Sequence, residues 1–390
     1  MFHTADPEDV KAGRITDVYF ERTMQVLKAK GADRRVKAEF IVKSLPAGYE
    51  WGVLAGIEEM AELLSGVNVN VRAMREGEVF YPYQPVMEVE GMYTDFGHYE
   101  TAMLGLLCQA SGIATKAARL KKLAGTRLLM SFGARRMHPV LAPMIERNAY
   151  IGGCDGVSVV KGAELVAEAP MGTMPHALVL IMGDTVKATL AFDEVLGPDV
   201  TRTALIDTFN DEKFEAIRVA EELGARLHAV RLDTPASRRG DFYRIIEEVR
   251  WELNLRGFSG VKIFVSGGLD EADVAKLNPL VDAYGVGACI SNARVLDFAM
   301  DIVEIDGEPV AKRGKWSGSK SVLRCGGCGV QDEVVPRVRG ILHCDCGGVR
   351  EDLLKPFIDG GKLALPLPSA KEIRAFALAN VARLSSLDAG

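Results

Sequence analysis

Short apolar runs alternate with amphipathic helical stretches through the middle of the chain, from about residue 127 to residue 290. Helical spacing of apolar residues is clearest at 214–223 and 242–253, whereas the segment 176–183 fits either a strand or a helix. Strand–helix alternation of this length predicts a parallel β-sheet flanked by helices, with closure into a β/α barrel. The apolar runs are Leu128–Phe132, Gly156–Val160, Ala204–Asp207, Ala229–Asp233, Lys262–Ser266 and Ala283–Ile290.

Polar side chains and glycines occur at the ends of these runs and in the loops around them. His176 closes the sequence Gly-Thr-Met-Pro-His, Asp233 ends the sequence Arg-Leu-Asp, and glycine-rich turns occupy 266–268 and 285–287. In a parallel barrel the loops after the strands converge on one rim. Glycines there allow backbone N–H groups to approach a phosphate closely. One imidazole, one carboxylate and two anion-binding loops at one rim indicate an enzyme that acts on a phosphorylated sugar.

The region before the barrel has a different pattern. Strand-like stretches at 37–43 and 79–90 flank a helical stretch at 54–64, which predicts an α+β domain. A long helical stretch from 98 to 123, interrupted at Ser111–Gly112, leads from this domain to the barrel.

Four cysteines are grouped near the C-terminus. Cys325 and Cys328 form one close pair, and Cys344 and Cys346 form a second. Two such pairs, each beside glycine, suit a tetrahedral zinc site. Disulfides are the alternative, and a reducing cytosol disfavours them. Four thiolates leave no open coordination position, so the zinc is expected to be structural.

Charge and hydropathy limit the class of protein. The formal net charge is −6, which argues against non-specific nucleic-acid binding because that binding depends on clustered Lys and Arg. The first twenty residues are interrupted by charged side chains, and the sequence has no run of about eighteen apolar residues. We therefore expect a cytoplasmic protein with no membrane partner.

Five motifs occur in the order found in nicotinate phosphoribosyltransferases. They are Thr16–Tyr19, Phe132–Arg136, Gly172–His176, Arg231–Asp233 and Gly285–Gly287. The chain resembles that family over nearly its whole length, and most closely its short archaeal form, which ends in a zinc-knuckle-like module. Five motifs in order are far more specific than any one of them.

The resemblance implies an α/β fold, with the irregular β/α barrel of type II phosphoribosyltransferases between two smaller parts. Residues 1–115 are expected to form the α+β N-terminal domain, to which 299–320 return, and residues 116–298 the catalytic barrel. Residues 321–366 are expected to form the zinc-ribbon-like module and 367–390 a C-terminal helix.

The resemblance also implies a reaction, in which nicotinate and phosphoribosyl diphosphate give nicotinate mononucleotide and diphosphate. This glycosyl transfer is coupled to ATP hydrolysis, as in a ligase, and serves NAD salvage. His176 would accept phosphate from ATP, and Asp233 would bind the ribose hydroxyls unless it pairs instead with Arg231 or Arg238. Asp207 would steer magnesium or the ribose.

The base is expected to lie between Phe132 and Tyr19, with Tyr19 reaching in from a neighbouring subunit of a homo-oligomer. Arg135 and Arg136 are candidates to bind a carboxylate or phosphate bidentately. Asp155 occupies a position at which an ionised carboxylate facing the ring would repel nicotinate, so either it turns away or the substrate is the amide. The remaining substrate-binding candidates are Asp17, His138, Thr173, Arg231, Ser266, Gly267, Gly268, Gly285 and Gly287.

Three alternatives remain at this point. Quinolinate phosphoribosyltransferase shares the barrel and the sugar substrate but needs no phosphorylated histidine, and a nicotinamide enzyme would differ in the base. A more distant alternative is a zinc-containing protein that modifies or binds RNA. The ribbon has nearly balanced charge and no Phe, Tyr or Trp between 321 and 350 to stack bases, which argues against RNA binding.

Overall fold

The computed structural model describes residues 2–328, 332–337 and 340–385. Contacts within the chain divide it into two compact units. Unit 1 contains the residues up to Thr115 together with Arg294–Leu384, and unit 2 contains Lys116–Ala293. None of the helices in these described ranges is both long enough and apolar enough to cross a bilayer.

The strands, in chain order, are β1 Arg35–Val42, β2 Gly52–Val53, β3 Val69–Ala73, β4 Val79–Phe80, β5 Pro85–Met92, β6 Leu128–Ser131, β7 Gly156–Val157, β8 Thr203–Leu205, β9 Ala229–Leu232, β10 Lys262–Ser266, β11 Ala283–Val286, β12 Phe298–Ile305, β13 Glu308–Pro309, β14 Lys320–Cys325, β15 Glu333–Pro336, β16 Leu342–His343, β17 Val349–Asp352, β18 Lys355–Asp359 and β19 Lys362–Leu363.

The α-helices are α1 Pro7–Lys11, α2 Val18–Lys30, α3 Ile57–Leu64, α4 Tyr93–Phe96, α5 Glu100–Ala124, α6 Ala142–Gly152, α7 Val160–Val166, α8 His176–Met182, α9 Thr185–Val195, α10 Glu212–Leu223, α11 Phe242–Leu255, α12 Glu271–Leu277, α13 Ala288–Ser291 and α14 Ala370–Ala382. Short 3-10 helices lie at Gly97–Tyr99, Ala134–Arg136, Pro139–Leu141 and Gly224–Arg226.

Unit 2 contains the predicted parallel sheet. Its strands pair in the order β7-β6-β11-β10-β9-β8, and every pairing is parallel. The edge strands β7 and β8 do not pair with each other in the described structure, so this is an incomplete, irregular barrel. The segment 176–183, which fitted a strand or a helix, forms helix α8. Because the strands run parallel, their carboxyl ends lie at one edge, where the predicted site residues occur.

Unit 1 is built on an antiparallel sheet with the order β13-β12-β1-β5-β3-β18-β19. Strand β12 returns after the barrel sequence to pair with β1, so residues from both ends of the chain share one core. The predicted strand at 79–90 is instead two strands, β4 and β5. Tyr83, in the turn between them, has a positive φ of 66°.

Helix α5 is continuous, so the predicted interruption at Ser111–Gly112 is wrong. Ser111 is buried, and its hydroxyl accepts a hydrogen bond from Ala55 N–H, which accounts for a polar residue inside the helix. A Cβ on Gly112 would lie 2.4 Å from the carbonyl oxygen of Arg294. The glycine therefore permits a close backbone approach rather than a break in the helix.

The residues predicted as a zinc module lie within unit 1 and contact its other elements. Strand β18 pairs with β3. Arg324, next to the first cysteine, donates to the carbonyl of Val79 at 2.8 Å and forms an ion pair with buried Glu78. Asn380 of α14 also donates to Glu78, at 3.1 Å. The cysteine-containing segment, helix α14 and strand β4 therefore meet around the buried Glu78 carboxylate.

Candidate functional site

His176 and Asp207 are in direct contact at the carboxyl ends of the parallel strands. The imidazole Nε2 lies 3.2 Å from both carboxylate oxygens of Asp207, and Nδ1 lies 4.0 Å from Oδ2 of Asp233. Burial raises the pKa of Asp207, and the neighbouring His176 opposes that rise. The His176 side chain is 40% exposed, whereas that of Asp207 is 2% exposed. The ring is therefore open to a ligand on one side and fixed by a buried carboxylate on the other.

Local packing explains why these two residues meet. His176 is the first residue of α8, two positions after Met174, and Asp207 follows β8 by two positions after Leu205. Met174 and Leu205 are both fully buried and belong to one apolar cluster with Val179. Burial of this cluster places the start of α8 against the end of β8.

A second group of polar contacts surrounds Asp233. The Ser266 hydroxyl donates to Asp233 Oδ1 at 2.6 Å, and an Arg231 Nη atom lies 3.3 Å from the same oxygen. Arg231 also donates to Ser266 Oγ at 2.9 Å and to Thr173 Oγ1 at 2.6 Å. The ion pair of Asp233 with Arg231, which was the alternative to ribose binding, is present, and Oδ2 lies on the His176 side.

Arg231 lies beside an aromatic pair. Its guanidinium carbon is 5.2 Å from the ring centroid of Phe132 and 5.9 Å from that of Phe264, and the two rings are 5.8 Å apart. A Cβ on Gly285 would lie 2.5 Å from the Phe132 ring. Gly285 therefore makes room for Phe132, and the phosphate contact predicted for this glycine stays a prediction.

The turn after β10 leaves backbone accessible. Gly267 and Gly268 have φ values of +91° and +71°, which non-glycine residues rarely adopt. No atom lies within 4 Å of a Cβ added to Gly268. Arg239 donates to the carbonyl of Ser266 at 3.2 Å and also contacts that of Gly267. This position of Arg239 beside the turn was not predicted, although the paired arginines of Ser-Arg-Arg-Gly in the loop after β9 could have indicated it.

The loop after β6 carries the other predicted cations. Arg135 and Arg136 are exposed and lie in the 3-10 helix that follows Phe132. His138 Nδ1 accepts a hydrogen bond from Val140 N–H at 3.3 Å, so this imidazole caps the next short helix. Gly287 lies close to this loop, because a Cβ on Gly133 would be 2.4 Å from its carbonyl oxygen.

Asp155 is not among the residues gathered at the carboxyl ends of the strands. It precedes β7, and its Oδ2 accepts from the Lys121 ammonium at 2.7 Å and from Leu129 N–H at 2.8 Å. Leu129 is near the start of β6, so Asp155 lies at the amino-terminal side of the sheet. Of the two alternatives considered for this carboxylate, the geometry favours the one in which it turns away from the ring.

Glu146 is a buried carboxylate that the sequence analysis missed. It accepts from the Ser131 hydroxyl at 2.8 Å and from the backbone N–H groups of Ser158 at 2.5 Å and Val159 at 3.2 Å. Burial raises the pKa of Glu146, and these hydrogen bonds oppose that rise. The carboxylate ties the end of β6, next to Phe132, to the end of β7. A glutamate in the amphipathic helix α6 gave no sign of this role.

A cavity of about 1050 Å³ adjoins the aromatic pair from within the barrel. Phe132, Thr173 and Phe264 line one part of it, and Leu128 and Lys262, at the starts of their strands, line another.

The two remaining site candidates, Asp17 and Tyr19, belong to unit 1. Asp17 accepts a hydrogen bond from the Thr101 hydroxyl at 3.1 Å, and Tyr19 is 56% exposed. Tyr19 is therefore a surface residue.

The four predicted zinc ligands are close together. Their sulfur atoms lie within 4.8 Å of one another, with 3.5 Å between Cys325 and Cys346 and 3.6 Å between Cys328 and Cys344. Zinc–sulfur bonds of about 2.3 Å in a tetrahedron separate the sulfurs by roughly 3.8 Å. A disulfide bond is only about 2.05 Å long. None of these four cysteines forms a disulfide, and the arrangement of their sulfur atoms suits a metal ion.

Comparison with known proteins shows the family of the chain. Residues 17–111 and 113–301 match the N-terminal and C-terminal domains of the family described as quinolinate phosphoribosyl transferase. The chain is also 32% identical over 358 residues to a nicotinate phosphoribosyltransferase of Mycobacterium tuberculosis, across 80% of this chain and 78% of that protein. The chain belongs to the quinolinate and nicotinate phosphoribosyltransferase family. The resemblance found in the motifs is thereby confirmed.

Solved structures extend the comparison. A crystal structure of nicotinate-nucleotide pyrophosphorylase from Pyrococcus furiosus is 54% identical with a TM-score of 0.95, and 98% of each chain is covered. Human nicotinic acid phosphoribosyltransferase is 22% identical with a TM-score of 0.73, covering 95% of this chain and 94% of that one. The predicted fold class, a type II phosphoribosyltransferase barrel with flanking α+β and cysteine-containing parts, is confirmed. The chain is a phosphoribosyltransferase of NAD biosynthesis.

Proposed function

We propose that this phosphoribosyltransferase joins nicotinate to phosphoribosyl diphosphate, forming nicotinate mononucleotide and diphosphate, and that ATP hydrolysis drives the reaction in NAD salvage. The observation that carries the proposal is the His176 imidazole, exposed on one side and held between Asp207 and Asp233. A phosphorylated histidine distinguishes the ATP-coupled enzyme from a quinolinate enzyme. The similarity to nicotinate phosphoribosyltransferases supports the same choice.

His176 acts as the nucleophile toward ATP in this proposal. Asp207 accepts a hydrogen bond from Nε2–H, which fixes the tautomer and leaves the Nδ1 lone pair free to attack. The new bond joins Nδ1 to the γ-phosphorus, the bond from that phosphorus to the bridging oxygen breaks, and ADP leaves. Later hydrolysis of the phosphohistidine returns the imidazole and releases inorganic phosphate.

Asp233 binds the ribose of phosphoribosyl diphosphate. Its Oδ1 is already occupied by Ser266 and Arg231, so Oδ2 is the acceptor for a ribose hydroxyl. The backbone at Gly267 and Gly268, with Arg239 beside it, receives phosphate oxygens. These contacts hold the sugar while charge develops at its anomeric carbon.

The pyridine ring of nicotinate stacks on Phe132, with Tyr19 supplied by a neighbouring subunit of a homo-oligomer. Arg231 is near enough to the Phe132 ring to pair with the nicotinate carboxylate, with Arg135 and Arg136 as further cations. The ring nitrogen then attacks the anomeric carbon as the bond to diphosphate breaks. Fixed cationic groups stabilise the departing negative charge.

Two metals belong to the proposal. Asp207 is the carboxylate that would steer magnesium, which would neutralise the charge of the diphosphate when bound. Zinc on the four cysteines is structural.

Parallel assays test the proposed function. Purified protein is incubated with phosphoribosyl diphosphate and nicotinate, nicotinamide or quinolinate, each with and without ATP and magnesium. Fast mononucleotide formation with nicotinate, stimulated by ATP, is expected. Faster turnover of quinolinate with release of CO₂ and no response to ATP would overturn the proposal in favour of the enzyme for which the matched family is named. Tight binding of bulk tRNA at low salt would favour the RNA alternative.

A further inference from the structure

Helix α8 is weakly anchored for an element that begins with the proposed nucleophile. It has seven residues, and among them only Val179 is buried. Leu180 is 57% exposed and Ile181 is 83% exposed. The apolar cluster around Met174 fixes one side of the helix start. Ala188 of the following α9 belongs to the same cluster, but the 3.2 Å contact between His176 and Asp207 tolerates little movement, so a further contact near the end of α8 would help to hold it.

A polar relay provides such a contact. Arg218 on α10 donates to Asp184 Oδ2 at 2.7 Å and to Glu215 Oε1 at 2.6 Å. Asp184 is the N-cap of α9 and accepts from Lys187 N–H at 3.0 Å. Glu215 is fully buried and accepts a hydrogen bond from the Asn210 side chain.

The two ends of this relay lie close in sequence to the two members of the proposed catalytic contact. Asp184 comes eight residues after His176 and two residues beyond the end of α8, and Asn210 comes three residues after Asp207 in the loop that follows β8. The relay therefore joins the segment that carries the imidazole to the segment that carries its carboxylate partner. It adds a polar connection to the apolar one made by Met174 and Leu205.

We propose that Arg218 is a positioning residue, which acts through Asp184 and Glu215 to hold His176 against Asp207. An exposed ion pair alone would contribute little to stability, and the Arg218 side chain is 43% exposed. Glu215 differs because its side chain has no exposure and its Oε2 has no hydrogen-bond partner among the described residues. Removal of Arg218 leaves this buried carboxylate with Asn210 alone, so the relay rearranges.

The inference rests on the proposed function only where it concerns phosphorylation, so its test has two readouts. The first is the nitrogen spectrum of the imidazoles, which is tractable because the chain has six histidines. In Arg218→Ala, the His176 Nε2 resonance should move in the direction produced by Asp207→Asn. The second readout is phosphohistidine formed from ATP per chain, which should fall by about tenfold, the change expected for a loosened nucleophile.

Controls separate positioning from general damage. Arg244→Ala removes a similar surface arginine from α11, where it pairs with Glu247 three residues on, and should leave both readouts at wild-type values. KM for nicotinate and phosphoribosyl diphosphate should stay within about twofold in Arg218→Ala. Added guanidinium ion should restore part of the lost phosphorylation, because it can occupy the site between Asp184 and Glu215.

Three results would overturn the inference. The first is a His176 resonance that does not move in Arg218→Ala. The second is a change of the same size in Arg244→Ala. The third is a loss of phosphorylation that only follows the unfolded fraction of the protein and is not rescued by guanidinium. A wild-type protein that forms no phosphohistidine would count against the proposed function instead. In that case the imidazole spectrum still decides whether Arg218 positions His176.

Discussion

The proposed function depends on a few side chains near the carboxyl ends of the parallel strands, and His176, the first residue of α8, is the most informative of them. Its Nε2 is engaged by Asp207 and its Nδ1 faces Asp233 at 4.0 Å. An imidazole held in this way suits a nucleophile as well as a general base, because the carboxylate fixes one nitrogen and leaves the lone pair of the other available.

His176→Ala tests the role of the imidazole. We expect ATP to stop improving turnover, with substrate affinities largely unchanged, because the phosphoryl acceptor is lost and the binding groups around Asp233 remain. The measurement is mononucleotide formed with and without ATP, alongside ADP released. ATP stimulation that survives in this variant would show that another residue accepts the phosphoryl group.

Asp233→Asn tests the ribose contact. A hydrogen bond to a charged group contributes about 1.5–3 kcal/mol, so affinity for phosphoribosyl diphosphate should fall at least about tenfold. Affinity for nicotinate should change much less, because the base is assigned to Phe132 and Arg231. KM measured for both substrates checks this. Equal losses would indicate that Asp233 mainly organises Arg231 and Ser266.

Some elements of the fold could be predicted from the sequence, and others could not. Strand–helix alternation predicted the parallel sheet, because buried parallel strands need continuous apolar runs and leave a strong pattern. The alternation could not predict β12 pairing with β1, since that contact joins residues more than 250 positions apart, and the return of residues 299–320 was expected only from the family resemblance. A helix break was expected at Gly112, but tertiary packing against Arg294 accounts for this glycine.

Some residues of the candidate site could likewise be predicted from the sequence, and others could not. His176, Asp207 and Asp233 were predictable because each lies at the end of an apolar run or in a distinctive motif. Glu146 and Arg218 were not, since a charged residue on an amphipathic helix usually faces solvent, and nothing local shows whether it contacts a strand end or a neighbouring helix.

The cysteine-containing element gives a prediction about metal. A Cys325→Ser, Cys328→Ser double variant should lose the single zinc expected per chain, because the binding free energy of about 10–16 kcal/mol depends on all four thiolates. Amide exchange should then rise in β4 and α14, which meet the ribbon through Glu78 and Arg324. Peptides from the barrel should keep their protection.

Cys108→Ser supplies a control, because this cysteine lies on α5 outside the four-sulfur cluster. It should retain one metal ion per chain and normal exchange in β4. Elemental analysis measures the metal content. An unchanged metal content in the double variant would exclude Cys325 and Cys328 as zinc ligands.

The stability of the whole molecule should depend on the ionisation of Glu100. Burial, with Asp301 nearby, raises the pKa of Glu100 to about 7, although Lys312 opposes the rise. A carboxyl with a raised folded-state pKa contributes stability at low pH, and this contribution is lost as pH increases from its ordinary value of 4.5 through about 7. Glu100→Gln should therefore flatten the pH dependence of the free energy of unfolding over that window.

Chemical unfolding of wild type and Glu100→Gln at several pH values between about 4.5 and 8 measures the effect. Glu351→Gln is the matched control, since Glu351 is exposed and pairs loosely with Lys355 at 3.8 Å. The pH dependence of this control should match that of the wild type. An equal flattening in both variants would remove Glu100 from the explanation.

The choice between nicotinate and nicotinamide should depend on how charged residues from different parts of the molecule are placed around the proposed base site. Arg231 lies 5.2 Å from the Phe132 ring, and Arg135 and Arg136 follow that residue, so the proposed base site is cationic. The Asp155 carboxylate could oppose this positive charge, but it pairs with Lys121 at the amino-terminal edge of the sheet. We therefore expect kcat/KM for nicotinate to exceed that for nicotinamide by about a hundredfold or more, which is roughly 2.7 kcal/mol of discrimination.

Asp155→Ala shows whether that carboxylate takes part in the choice. Its orientation depends on Lys121, 34 residues away, which sequence alone could not place. Because Asp155 is held at the amino-terminal side of the sheet, the variant should keep the preference for nicotinate. It should lose stability, since Leu129 N–H loses its carboxylate acceptor and Lys121 keeps the carbonyl of Arg127 as an acceptor but loses the carboxylate. The measurement is kcat/KM for both bases on the wild type and the variant, with thermal unfolding alongside. A wild-type preference for nicotinamide that disappears in Asp155→Ala would overturn the assignment and make the protein an amide-salvage enzyme.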